Sequence, residues 1–434
     1  MNRWLTLMSV GLCLVTQTTE ANTFRTEQWQ TSNGARVVFY QAKEVPMLDI
    51  GVAFAAGSAY DGEHYGLSAL TVRLLDQGNG SLDANQIADK LADTGAQYEN
   101  DSTRDMAAFS LKTLTDENAL ATALDTFALI LNKPNFKQDS FNREKNQQLI
   151  AIKQSHESPD ELANQLFFTN LYKKHPYAHP VNGTNDSLKM ISVWQVRDFY
   201  KRYFVANNAV IVMVGAIDSD KAHQIAGQLM QNLPGGKAAD PVVKALSLTT
   251  AESIKTSFPS SQTMLRLGQI GIDHSNPHYF PLMVGNYILG GGALVSRLSN
   301  EVREKRGLTY GITSQFMPMP GDGPFLISLS TKNSQAATAL KVTEDTVAHF
   351  LNSGPGEEEL TAAKQYLTGS FPLSLASNSN IANMLLRLTF YHLPSNYLDT
   401  YTANIEAVTT GEIKQAFDQT IHPEKMLQVS VGKQ

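Results

Sequence analysis

Few stretches of this sequence join residue type and spacing in a way that could do chemistry. SRLSNEVREKRGLTYG (296–311) is the densest, with Arg297, Arg303, Lys305 and Arg306 followed by Tyr310. Arg303 and Tyr310 projecting into one cavity would be fixed hydrogen-bond donors for a developing negative charge. On composition alone the same residues better suit a solvated helix whose basic end complements the helix dipole. Gly307 between them predicts a helix end followed by a strand rather than one continuous helix. A second stretch, GLSALTVRLLDQG (66–78), reads as a helix with Leu67, Leu70, Leu74 and Leu75 as its apolar stripe. Ala69, Val72 and Arg73 fall on another face, at a spacing that lets side chains converge on one point.

The remaining candidates have duller readings. His175 and His179 in HPYAHP stand four apart, but Pro176 and Pro180 forbid a regular helix that would aim both one way. HSNPH (274–278) reads as a loop with a chance histidine pair. GGG (290–292) lacks the Gly-Lys-Ser/Thr of a phosphate loop, and reads as a helix cap or a close backbone approach. There is no G-x-S-x-G to present a nucleophilic serine.

The elements that must position these residues begin after a leader. Arg3, the apolar run Trp4–Val15 and the small Ala21 predict a signal peptide cut after Ala21. Leu12 is too large for a lipoprotein cleavage site before Cys13, the only cysteine. The mature chain is therefore expected to have no disulfide and to rest on its core. No later stretch reaches about 18 uninterrupted apolar residues. A net charge of −6 and a pI near 5.9 argue against nucleic acid as a partner.

Beyond the leader, strands are expected at 37–40, 47–57, 106–114 and 209–217. Helices are expected at 67–76, 84–94, 117–132, 138–155, 159–173 and 192–202, with Asp83 and Asp116 as N-caps. The order then recurs: a strand at 264–272, a helix ending in GNYILGGG, and a hairpin of 309–317 with 324–331. VMVG (212–215) is echoed by VSVG (429–432) half a chain later. LPGGKAADPVVKA (233–245) has the composition of a linker. The expectation is a leader at 1–21, an N-terminal domain at 22–235, a linker at 236–253 and a homologous domain at 254–434. Short, hairpin-linked strands favour mixed or antiparallel sheets covered by helices, an α+β class.

These segments, in this order, resemble the M16 zinc metallopeptidases, the pitrilysin-like and mitochondrial processing peptidase-like family. The resemblance runs from NGARVVFY through HPYAHPVNGT to NYILGGGALVSRLSNEVREKRGLTYGI. It implies two α/β-roll domains, and two such chains, or one double-length chain, closing around a peptide chamber. In the family an inverted His-x-x-Glu-His and a later Glu hold Zn²⁺ and its water, the motif's own Glu acting as general base. Here Ala69, Val72 and Arg73 stand at those motif positions and Ala151 at the third ligand's. No metal ligand and no base remains, and Arg73 brings a fixed positive charge.

The family's C-terminal Arg and Tyr, which grip substrate main chain and stabilise the oxyanion, carry over to Arg303 and Tyr310. The resemblance therefore implies the non-zinc subunit of a periplasmic or secreted bacterial heterodimer. Such a chain binds no cofactor itself, and zinc sits in an M16 partner. The alternative is an inactive homologue with a structural or peptide-binding role, and a third possibility is an active enzyme with an unrecognised site.

Overall fold

The computed structural model describes residues 24–433, so the leader expected at 1–21, with Cys13, lies outside the described residues. Its first sheet contains β1 (Thr26–Gln30), β2 (Arg36–Gln41) and β3 (Met47–Phe54). After a two-residue ladder of β4 (Gly78–Asn79) and β5 (Leu82–Asp83), the sheet adds β6 (Gln97–Ser102), β7 (Ala107–Leu114) and β8 (Ala209–Gly215). The order across it is β1-β2-β8-β3-β7-β6. A second sheet contains β9 (Glu252–Ser257), β10 (Gln262–Ile270), β11 (Thr309–Phe316), β12 (Pro324–Lys332) and β13 (Leu427–Gly432), in the order β11-β12-β10-β13-β9.

The two sheets repeat one pattern. In each, a single parallel pair, β2 with β8 or β9 with β13, joins an otherwise antiparallel series. VMVG ends β8 and VSVG ends β13, so the sequence echo is a topological one. The chain is an α+β protein of mainly antiparallel sheets and helices. The sheet of the second half begins at Glu252, within the segment read as linker. Residues 237–248 before it form no helix or strand. That segment is nevertheless pinned: Lys244 pairs with Asp273 and, at 2.7 Å, with Asp322, while Ala245 N donates to Gly321 O at 2.9 Å.

Local signals set the helix ends. Asp83 accepts from Gln86 N while the Gln86 side chain accepts from Asp83 N, and Asp116 accepts from Asn118 N and Ala119 N. Ser158 caps the helix Pro159–Tyr172, with Pro159 at its first position. The central strands β3 and β8 are buried along nearly their whole length because both faces of the sheet are covered.

The cover on one face of each sheet comes from the other half of the chain. The helix Asn378–Phe390 lays Ile381, Leu385 and Leu386 against Val38, Val210, Val212 and Val214 of the first sheet. Reciprocally, the helix Pro159–Tyr172 lays Ala163, Phe167 and Leu171 against Leu427, Val429 and Val431 of the second. Each contact closes over a strand glycine. A Cβ on Gly51 would sit 3.2 Å from Leu386 Cδ2, and one on Gly268 would sit 2.9 Å from Phe167 Cζ.

Candidate functional site

Arg303 lies on the turn Ser299–Glu304, which is wound wider than an α-helix, with Lys305 N donating to Asn300 O at 3.0 Å. Gly307, at φ +59, ends it, as its position predicted, and β11 starts at Thr309. In β11 the pairing with β12 slips between Thr309 and Ile312, so an extra residue bulges out at Tyr310. Thr309 Oγ1 fixes the bulge, accepting from Gly311 N at 3.1 Å and sharing its one proton between Ser330 O at 2.7 Å and Gly311 O at 2.8 Å. A bulge re-aims a side chain, and Tyr310 is left 85% exposed. The Arg303 guanidinium carbon stands 5.1 Å from the centre of the Tyr310 ring, within cation–π range. Glu304 is its ion-pair partner, at 3.3 Å from Nε. The structure brings the two residues together, Tyr310 exposed and Arg303 half-buried beside it. Of the other cations in that stretch, Arg297 binds both oxygens of Glu359, and Lys305 and Arg306 share Glu301.

The helix Leu67–Leu74 starts on a buried carboxylate: Asp61 accepts from Gly66 N and Ser68 N, both at 2.7 Å. Burial holds the Asp61 carboxyl well above the usual range despite those amides. The four leucines of the stripe are buried, as expected. The face read as a separate one is not open, however. Val72 is 2% exposed and part of the same core, and Ala69 is buried too. Arg73 is half-buried, with no hydrogen-bond or ion-pair partner among the described residues. Ala151 lies half-buried on the facing helix Gln138–His156, where Gln148 Nε2 donates to Gly66 O at 3.1 Å and Asn182 O at 2.9 Å. Side chains of this kind do not fit zinc, which needs imidazole, thiolate or carboxylate donors. Among the described residues no group of three or more His, Cys, Asp or Glu is placed to hold a metal.

The histidines serve the fold. A short turn, Pro176–Ala178, separates His175 from His179. His175 Nδ1 accepts from Tyr177 N at 3.1 Å and its Nε2 lies 2.8 Å from Val243 O, while His179 stacks on Tyr65. The glycines 290–292 end and cap a wide turn, Tyr287–Gly291, and a Cβ on Gly290 would collide with Ser314 Oγ at 2.4 Å, the close backbone approach expected.

One polar node escaped sequence reasoning. Asp105 accepts from Tyr177 OH at 2.5 Å and Tyr391 OH at 3.1 Å, and Gly321 N donates to the same Tyr177 oxygen at 3.1 Å. His274 stacks on Tyr391 with ring centres 4.0 Å apart. The node ties the turn between β6 and β7 to three segments of the second half. Its only sequence signal was an Asp in a turn, far in sequence from both tyrosines.

Comparison with known proteins agrees with this architecture. The insulinase (peptidase family M16) model matches residues 36–185, and the peptidase M16 inactive domain model matches residues 190–367. The crystal structure of a peptidase M16 inactive domain from Pseudomonas fluorescens is 38% identical. It superposes with a TM-score of 0.91 over 94% of this chain and 98% of that one. The non-peptidase homolog YmxG of Helicobacter pylori is 26% identical, over 88% of this chain and 89% of its own length. An uncharacterized zinc protease YmxG of Bacillus subtilis is also 26% identical, over 82% of this chain and 85% of its own. This chain belongs to the peptidase M16 family as a homologue of its inactive type.

Proposed function

We propose that this chain is the non-zinc subunit of a heterodimeric periplasmic peptidase. Its partner, a zinc-bearing M16 chain, supplies metal, water and base. Arg303 and Tyr310 supply the grip on substrate main chain and the donors for the oxyanion of the tetrahedral intermediate. The observation that carries this reading is the pair itself, an exposed Tyr310 beside a half-buried Arg303. A core does not need a tyrosine on a bulge at 85% exposure with a guanidinium held against its ring. Donors of this kind act where negative charge develops.

The test is reconstitution. The isolated chain hydrolyses no peptide, and mixing it with a cognate zinc-bearing homologue gives metal-dependent cleavage. Full activity of Tyr310→Phe and Arg303→Ala in that mixture would sink the proposal. Periplasmic placement rests on the leader at 1–21, and N-terminal sequencing of the exported chain should begin at Asn22. The Helicobacter pylori relative's description as a non-peptidase homolog favours a second reading, an inactive structural or peptide-binding protein. Failure of any zinc-bearing M16 chain to co-purify, with peptide binding by the chain alone, selects that reading.

A further inference from the structure

Arg104 and Asp105 are adjacent and oppositely charged, yet they do not pair. Both carboxylate oxygens of Asp105 are taken by tyrosine hydroxyls. Arg104 instead sends its Nε to Tyr177 O at 3.1 Å and lays its guanidinium carbon 3.7 Å from the centre of the Phe168 ring. It forms no ion pair among the described residues. Two hydrogen-bonding nitrogens are thus left over on a cation that burial already disfavours, its pKa pushed down to about 10. Arg104 is half-buried, and a bidentate carboxylate is the natural complement of a guanidinium with two free nitrogens.

Arg104 lines a cavity of about 340 Å³ between the helices Gln138–His156 and Pro159–Tyr172 and the second sheet. The volume suits a few residues of extended peptide. Phe168 and Leu326 give it apolar walls, while Asn164, Gln165 and Gln315 give it amides that can meet a peptide backbone. Asn164 is held in place through its Oδ1, which accepts from Arg266 Nε at 2.8 Å, and this leaves its Nδ2 as a donor. Glu161 is the one acid lining the cavity, and it makes no ion pair with Arg104.

We infer that this cavity binds the C-terminal carboxylate of a short peptide, with Arg104 as the charged donor and the side-chain amides as contacts to the last peptide groups. The inference goes beyond the peptidase reading and needs neither zinc nor a partner, so the isolated chain tests it.

The probe is a fluorescein-labelled tetrapeptide with an apolar last residue, as the free acid and as the C-terminal amide, read by fluorescence polarisation. The free acid should bind at least about tenfold more tightly than the amide, the scale of one charge-assisted contact. Arg104→Gln should abolish that ratio and Arg104→Lys retain part of it. Should Arg104→Gln fail to fold, Ser155→Trp, which puts a bulky ring into the cavity, should lower the affinity for the acid at least tenfold. Equal binding of acid and amide, or no binding of either, overturns the assignment. So does equal binding of an amidated tetrapeptide carrying an internal Asp.

Discussion

Two places in this molecule stand where M16 chemistry could reside, and they have met different fates. On the helix Leu67–Leu74 the positions that hold metal elsewhere in the family carry side chains that pack. Val72 is now a core residue at 2% exposure, and Ala69 is buried with it. On the bulge of β11 the opposite holds. Tyr310 contributes almost nothing to the core, yet Thr309 and Gly307 set the backbone that aims it beside Arg303. A site whose polar groups are gone closes and becomes structure. Tyr310, left exposed on its bulge, adds nothing to the core, and Arg303 meets it from a half-buried position.

The strongest way to break the comparison is to put the family's base back at the closed site. Val72→Glu should destabilise the chain by roughly 3–5 kcal/mol, because the carboxylate would sit in an apolar core with no partner. Urea unfolding measures it, and a loss under 1 kcal/mol would mean the face is open after all. Next in size, Tyr310→Phe should cut kcat of the reconstituted peptidase by about 10²–10³ while moving stability by less than about 0.5 kcal/mol. A variant that loses both would be a structural residue.

The third effect concerns pH at the node between the halves. Burial, helped by Arg387, lowers His274 to about 4, against 6.5 for a free histidine. Above pH 6.5 both folded and unfolded forms are neutral there. As pH falls from 6.5 towards 4 the unfolded chain takes up the proton first, so stability drops by at most about 3 kcal/mol and then levels. Asp105 works the other way, since burial raises its carboxyl and the folded state gains a proton as pH falls. Thermal unfolding of His274→Phe, which keeps the ring stack on Tyr391, should lose most of the decline between pH 6.5 and 4. The smallest effect is expected at Arg73, which has no partner to lose. Arg73→Ala should change stability by no more than about 0.5 kcal/mol.

What could be read beforehand was what short-range chemistry encodes. Asp83 and Asp116 cap helices because their side chains satisfy amides two or three residues on, and Gly307 stops a turn because of its own backbone freedom. The apolar run of β8 announced a buried strand, and the echo of VMVG in VSVG announced the repeat that joins β8 to β13. The Arg303–Tyr310 pair was legible as two residue types at a spacing, but not the bulge that exposes Tyr310, which depends on register with β12. Nor could periodicity reveal that Val72 is core, since the stripe of leucines already accounted for one face. The wide turns at Tyr287–Gly291 and Ser299–Glu304 have no compositional mark of their own. The Asp105 node joins residues up to 286 positions apart, a separation no local pattern carries.

The exchange of covering helices has a consequence for how the chain is made. At ribosomal speeds of about 5–20 residues per second, the stretch between β8 and the helix Asn378–Phe390 takes on the order of 10–30 s to emerge. For that time Val210, Val212 and Val214 have no lid. The helix Pro159–Tyr172 waits longer still, because its partner β13 is made after the helix Asn378–Phe390. The nascent chain therefore carries two uncovered apolar surfaces until β13 has been made. Splitting the gene between the two sheets would leave both products with the same exposed faces permanently.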